Sequence, residues 1–133
     1  MLTLTKEEAV KRHRELWNKI AELCTGGFSN LPLCTANSVF EIQGMALNAL
    51  GYHDYRDYPT NRCWACEYAI YNAIYFHRTN EDACCFCPLK WKTELCHDEG
   101  GEYYMCSRYI QDGNYEKAAE MARVIANLPE KED

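Results

Sequence analysis

The sequence predicts a mainly α, single small domain with a cysteine staple in its middle, and three observations carry that prediction. Apolar residues recur at helical spacing in segments near both ends of the chain, several of them opened by a capping residue. Two Cys-x-x-Cys pairs, Cys63–Cys66 and Cys84–Cys87, interrupt this pattern. The chain has 133 residues, 47% hydrophobic and 26% charged, which suits one globular domain over residues 1–133.

The elements follow in chain order. Thr5 to Cys24 reads as an amphipathic helix: Thr5 and Glu8 form a capping box, and Val10, His13, Trp17, Ile20 and Cys24 recur at steps of three and four. His13 on that stripe is expected to be a hydrogen-bonded helix-face histidine rather than a ligand. Gly26 or Gly27 ends the helix. Residues 28–35 form a loop carrying Pro32. A second helix is expected from Ser38 to about Leu50, with Ser38 and Glu41 as its capping box and Gly51 as its stop. Phe40, Ala46, Leu47 and Leu50 are its expected buried face. A polar, tyrosine-rich connection, 52–62, leads to the first cysteine pair. A short helix is expected over Glu67–Phe76, with Ala69, Ile70, Ala73 and Ile74 on one face. Residues 78–83 are a polar loop and 94–101 an acidic one. Tyr103–Gln111 can form a helix. Asn114 is a good N-cap for a last helix bearing Tyr115, Ala118, Ala119, Ala122, Ile125 and Ala126, and Pro129 stops it.

Nine cysteines in a chain without a secretion signal point away from disulfides. The pairs Cys63–Cys66 and Cys84–Cys87 are separated by 17 residues, which meets the template of a Cys₄ zinc site. A two-residue gap lets both sulfurs of a knuckle turn toward one ion, and two knuckles complete a tetrahedral shell with Zn–S near ~2.3 Å. The expected centre is thus a zinc-knuckle or zinc-ribbon-like Zn²⁺ site held by Cys63, Cys66, Cys84 and Cys87. Cys96 is an alternative member of that shell. A second site from Cys85, Cys96, His97 and Cys106 is conceivable, although its spacing fits no standard pattern. Cys24 and Cys34 read as core residues. Buried free thiols are the plainer alternative for the knuckles. A redox Cys-x-x-Cys is disfavoured because no strand of a βαβ unit precedes it.

The formal net charge is -6, and residues 98–133 are the most acidic part, with nine Asp or Glu against four Lys or Arg. Such a chain repels a phosphate backbone. Its longest apolar stretch, 69–76, is eight residues and contains Asn72, too short to span a bilayer. The opening Met-Leu-Thr-Leu-Thr-Lys-Glu-Glu has neither a basic n-region nor an apolar h-region. A cytoplasmic location is therefore expected, with no membrane partner. No P-loop, dinucleotide turn, nucleophile elbow or His-Glu-x-x-His pattern is present, so an enzyme is not expected.

Four segments taken together carry a likeness: Glu-Ala-Val-Lys-Arg-His-Arg-Glu-Leu-Trp (8–17), Cys-Trp-Ala-Cys-Glu-Tyr-Ala (63–69), Cys-Cys-Phe-Cys-Pro-Leu-Lys-Trp (84–91) and Ala-Arg-Val-Ile-Ala-Asn-Leu-Pro (122–129). They resemble small cysteine-rich proteins encoded by phages and prophages of Gram-positive bacteria. The resemblance implies a zinc-stabilised accessory protein inside an infected host cell, of a kind that modulates host enzymes or host defence. The doubled Cys84-Cys85 and the extra Cys106 have no place in the family pattern.

The expected function is binding and modulation of a host component, either a host protein or a small nucleotide signal, with anti-defence inhibition as one form. Tyr52, Tyr55, Arg56 and Tyr58 are the expected contact residues, because Tyr and Arg most often anchor interfaces. The alternative class is a nucleic-acid-binding zinc protein. Its only basic surface is the first helix, where five Lys or Arg are interleaved with four Glu. The charge predicts no tight binding to duplex DNA at physiological salt. A titration showing affinity tighter than roughly micromolar, falling steeply with added salt, would restore that alternative.

Overall fold

The computed structural model describes residues 3–27, 38–75 and 86–131, with the backbone alone for Tyr55 and Thr60. Among them stand five α-helices and, in place of a sheet, one isolated β-bridge. The expected loop at 28–35, Cys34, the polar loop 78–83, Cys84 and Cys85 lie outside the described residues.

Helix α1 spans Lys6–Glu22. Its capping box is present in both directions: Thr5 Oγ1 accepts from the Glu8 amide at 3.1 Å, and Glu8 Oε1 accepts from the Thr5 amide at 3.4 Å. The stripe Ala9, Val10, His13, Leu16, Trp17, Ile20 and Ala21 is buried. The helix then widens into a π-type turn, Leu23–Gly27, which reverses at Gly26 with φ 138°, a conformation open to glycine.

Helix α2, Val39–Ala49, is capped by Ser38, whose Oγ accepts from the Glu41 amide at 3.2 Å. It buries Val39, Ile42, Gln43, Gly44, Ala46 and Leu47. Phe40 and Leu50, expected inside, are exposed at 45% and 37%. Leu50 is the C-cap, one residue past the helix end, and Phe40, at the edge of the buried stripe, instead carries the Arg62 guanidinium 4.1 Å above its ring.

Helix α3 runs from Trp64 to Tyr75, beginning three residues before the expected start, because Cys63 opens it: the Glu67 amide donates to the Cys63 carbonyl at 3.0 Å. Trp64, Ala65, Ala69 and Ala73 are buried, but Ile74, expected on that face, is 51% exposed. Helices α4, Glu102–Gln111, and α5, Tyr115–Ala126, are joined through Gly113 at φ 74°. Asn114 Oδ1 caps α5 by accepting from the Lys117 amide at 3.3 Å. Helix α5 ends at Ala126, ahead of Pro129.

Helix α1 is the hub and packs against α2, α3 and α5, while α4 covers α5. Ala118, Ala119, Ala122 and Ala126 of α5 are at most 1% exposed, and such small side chains let neighbouring backbones approach closely. Pro88 to Lys90 pairs with Pro129 to Lys131 around the Leu89–Glu130 bridge. The Lys90 amide donates to Pro129 O at 2.8 Å, and the Lys131 amide to Pro88 O at 2.9 Å. This ties the second cysteine segment to the end of the core. No helix among the described residues is long and apolar enough to cross a membrane.

Candidate metal centre

The approach to Cys63 is a backbone that few sequences adopt. Asn61 and Arg62 stand in succession at φ 56° and 53°, the left-handed region that costs an L-residue roughly 1–2 kcal/mol. The surrounding side chains hold this bend. Gln43, 1% exposed, donates from Nε2 to the Arg62 carbonyl at 2.9 Å and accepts from the Tyr103 hydroxyl at 2.9 Å. Arg62 Nη1 donates to Phe40 O at 2.8 Å. Gly44 makes room for it, since a Cβ there would come within 2.5 Å of Arg62 Nη1.

The bend delivers Cys63 to the start of α3, where the Cys66 amide donates to Cys63 Sγ at 3.2 Å. This is the sulfur geometry that a Cys-x-x-Cys knuckle offers a metal. A cavity of about 460 Å³ opens beside it. Cys63, Cys66, Cys87 and Cys96 line it, and Trp17, Trp91 and Tyr103 form its aromatic wall. Behind that wall the His13 ring meets Trp17 and Trp91, with centroids 6.3 and 6.2 Å apart.

The thiols influence one another. Hydrogen bonds from the Cys66 side chain and from the Cys66 and Ala65 amides hold Cys63 below the usual thiol range, against the opposing effect of burial. Cys66 is pushed well up by its hydrogen bond to Cys63, by burial, and by the nearby sulfurs of Cys63, Cys96 and Cys87. Burial raises Cys87, opposed by the Leu89 amide and the Trp91 indole. Trp91 Nε1 is itself buried without a well-formed hydrogen bond among the described residues, and the acceptor beside it is the Cys87 thiol.

Three of the four expected ligands, Cys63, Cys66 and Cys87, therefore share one cavity, while Cys84 lies outside the described residues. As placed, no three His, Cys, Asp or Glu side chains among the described residues stand so as to hold a metal ion. The residues nevertheless suit a thiophilic ion: soft donors line one cavity, and the buried Trp91 N–H beside Cys87 has only a weakly accepting thiol to meet. An ion there would supply cross-links between segments rather than an open coordination position.

The conceivable second set is not brought together. Cys96 and His97 line the cavity, with Cys96 Sγ 3.9 Å from His97 Nδ1. Cys106 is instead buried between α4 and α5, donates to Ala118 O at 3.6 Å, and has its thiol pushed up to about 12 by burial. Cys24 is a core residue, as expected, its thiol pushed up to about 11 by burial.

The tyrosine segment divides. Tyr52 is half-buried with its ring 5.1 Å from that of Trp64, and Tyr58 is half-buried with its hydroxyl on Asn48 Oδ1. Arg56 is exposed and paired with Asp54 at 2.7 Å. The Tyr55 side chain lies outside the described residues.

Sequence reasoning missed Gln43, Trp91 and Tyr103. Only Trp91, four residues beyond Cys87, carried a local signal. Gln43 joins two elements, and replacing it with leucine is expected to strand the Arg62 carbonyl and the Tyr103 hydroxyl. A loss of about 2 kcal/mol in a urea melt is the expected outcome. An unchanged midpoint would show that the bend at Arg62 holds itself.

No family model, curated protein or solved structure matches the chain.

Proposed function

We propose that this is a zinc-stabilised helical binding protein that acts stoichiometrically on a host component, as a phage or prophage accessory protein would, with inhibition of a host defence component as its specific form. The observation that carries the reading is the gathering of Cys63, Cys66 and Cys87 on one cavity, with the buried Trp91 N–H beside Cys87. Spacing gives the fourth position to Cys84. A closed thiolate shell leaves no site for substrate, so the metal's role is to fix the surface around it. The acidic balance of the chain favours a protein or small-molecule partner over duplex nucleic acid.

Within the tyrosine segment, Tyr52 and Tyr58 pack against the core, and the exposed Arg56, with its sequence neighbour Tyr55, is the contact this reading assigns. The Tyr55→Ala, Arg56→Ala double variant tests this. It is expected to keep its zinc and melting temperature while partner capture falls at least tenfold, about 1.4 kcal/mol. Capture by the tagged protein is quantified together with metal content and with the molar ratio of whatever co-purifies. Unchanged capture would remove the segment from the contact, and turnover of a co-purified small molecule would favour an enzyme.

A further inference from the structure

We propose that Cys96, rather than Cys84, completes the metal shell, so that Cys63, Cys66, Cys87 and Cys96 hold one soft divalent ion such as Zn²⁺. The inference rests on the metal reading above and changes its ligand set.

Three segments converge on the cavity: the start of α3 with Cys63 and Cys66, the Pro88 turn with Cys87, and the loop ahead of α4 with Cys96. Cys96 sits in a turn braced from both sides. Thr93 Oγ1 donates to Leu95 O at 2.7 Å, and the Leu95 amide donates to Asp98 Oδ2 at 2.9 Å. The Asp98 amide returns to Leu95 O at 3.1 Å. Upstream, the Lys92 amide is clamped by both carboxylate oxygens of Glu102, at 3.0 and 3.1 Å. That bracing fixes Cys96 relative to α4, and its sulfur is near enough to Cys66 to raise that thiol.

The second observation is the Trp91 indole. A neutral thiol is a weak acceptor, whereas a metal-bound thiolate carries charge and accepts strongly. Trp91 Nε1–H, buried beside the Cys87 thiol without a well-formed hydrogen bond, is matched to a thiolate there, as the Cys66 amide is matched to Cys63 Sγ. Such outer donors tune a bound metal. Lys90 and Lys131 line the same cavity, so cationic groups face a shell whose net charge would be negative.

On binding, each of the four thiols gives its proton to solvent and forms one S–metal bond, with no change of oxidation state. Because no three such donors among the described residues stand so as to hold an ion, binding requires the sulfurs to close in from the cavity wall.

The test uses the full chain loaded with Zn²⁺. Thiols are labelled with N-ethylmaleimide before and after a chelator is added, and the labelled positions are read by mass spectrometry. Cys63, Cys66, Cys87 and Cys96 are expected to stay unlabelled until the chelator is added, and Cys84 to be labelled at once. In parallel, Cys84→Ser should keep one Zn²⁺ per chain and an unchanged sulfur-to-metal absorption with Co²⁺. Cys96→Ser should lose roughly 100-fold or more in Zn²⁺ affinity. If that variant does not fold, Cys96→His serves instead. It is expected to retain the ion with weaker sulfur-to-metal absorption. Chelator-dependent labelling of Cys84 in place of Cys96, or loss of metal from Cys84→Ser alone, would overturn this ligand set and leave the metal reading standing. A wild-type chain that takes up neither Zn²⁺ nor Co²⁺ would overturn both.

Discussion

Cys66→Ser protein is expected to lose its metal and, with it, its cooperative fold. A structural Zn²⁺ supplies on the order of 10 kcal/mol of apparent binding energy, comparable with the whole stability of a domain this size. On the zinc reading proposed above, one ion beside Cys66 would join three segments. Cys87 and Cys96 stand on loops and turns rather than on packed helices, and the left-handed pair Asn61–Arg62 adds strain beside the knuckle. Without cross-linking, the cavity is a gap beneath the aromatic wall. Cys63→Ser and Cys87→Ser should behave alike, whereas Cys24→Ser, in the core at the end of α1, should keep the metal. Elemental analysis and circular dichroism across the series decide the matter. Equal damage at Cys24 and Cys66 would mean that burial, not coordination, gives these cysteines their value.

Acid is expected to destabilise the protein by about 3 kcal/mol between pH 6.5 and 4 through His13 alone. His13 is 1% exposed, and its Nε2–H donates to Ile125 O at 2.9 Å. Its Nδ1 is buried without a partner, so a second proton would place an unsatisfied N–H and a charge inside the core. Burial is the main cause that lowers its pKa to about 4, with a smaller push from Arg14, against the favourable carbonyl of Ile125. The folded pKa lies below the unfolded one, so the unfolded chain binds more protons in this window. The stabilisation is complete above pH 6.5 and is lost as pH falls toward 4. His13→Gln, which can still donate to Ile125 O, removes the titration. Unfolding free energies from pH 7 to 4 should fall less steeply in that variant than in the wild type, since metal release in acid is common to both. Parallel slopes would show that His13 does not titrate on unfolding.

Much of the helical frame was legible because helices are encoded locally. Thr5 with Glu8, Ser38 and Asn114 are caps set by residues three positions apart or fewer, and the stripes of α1 and α5 repeat every three or four residues. Errors came where a face is chosen by a distant partner. Phe40 and Ile74 are apolar, yet among the described residues they stay 45% and 51% exposed, and Phe40 is occupied by Arg62 from the strained bend. The candidate site was legible only in part for the same reason. Spacing identifies Cys63, Cys66 and Cys87, which belong to short motifs. It cannot reveal Gln43, which sits on α2 and reaches Arg62 O and Tyr103, nor Trp91, whose buried N–H acquires meaning only beside Cys87.

The pairing of α1 with α5 also sets a timetable for synthesis. Helix α1 finds its principal partner only when residues 115–126 have emerged, and Lys6 Nζ reaches as far as the carbonyl of Lys131, at 3.0 Å. At roughly 5–20 residues per second, the face of α1 that carries His13 waits several seconds or more for α5. The nascent chain is therefore a client for chaperones until its last helix arrives. A stalled chain ending before Tyr115 is expected to aggregate rather than to persist as a folded fragment.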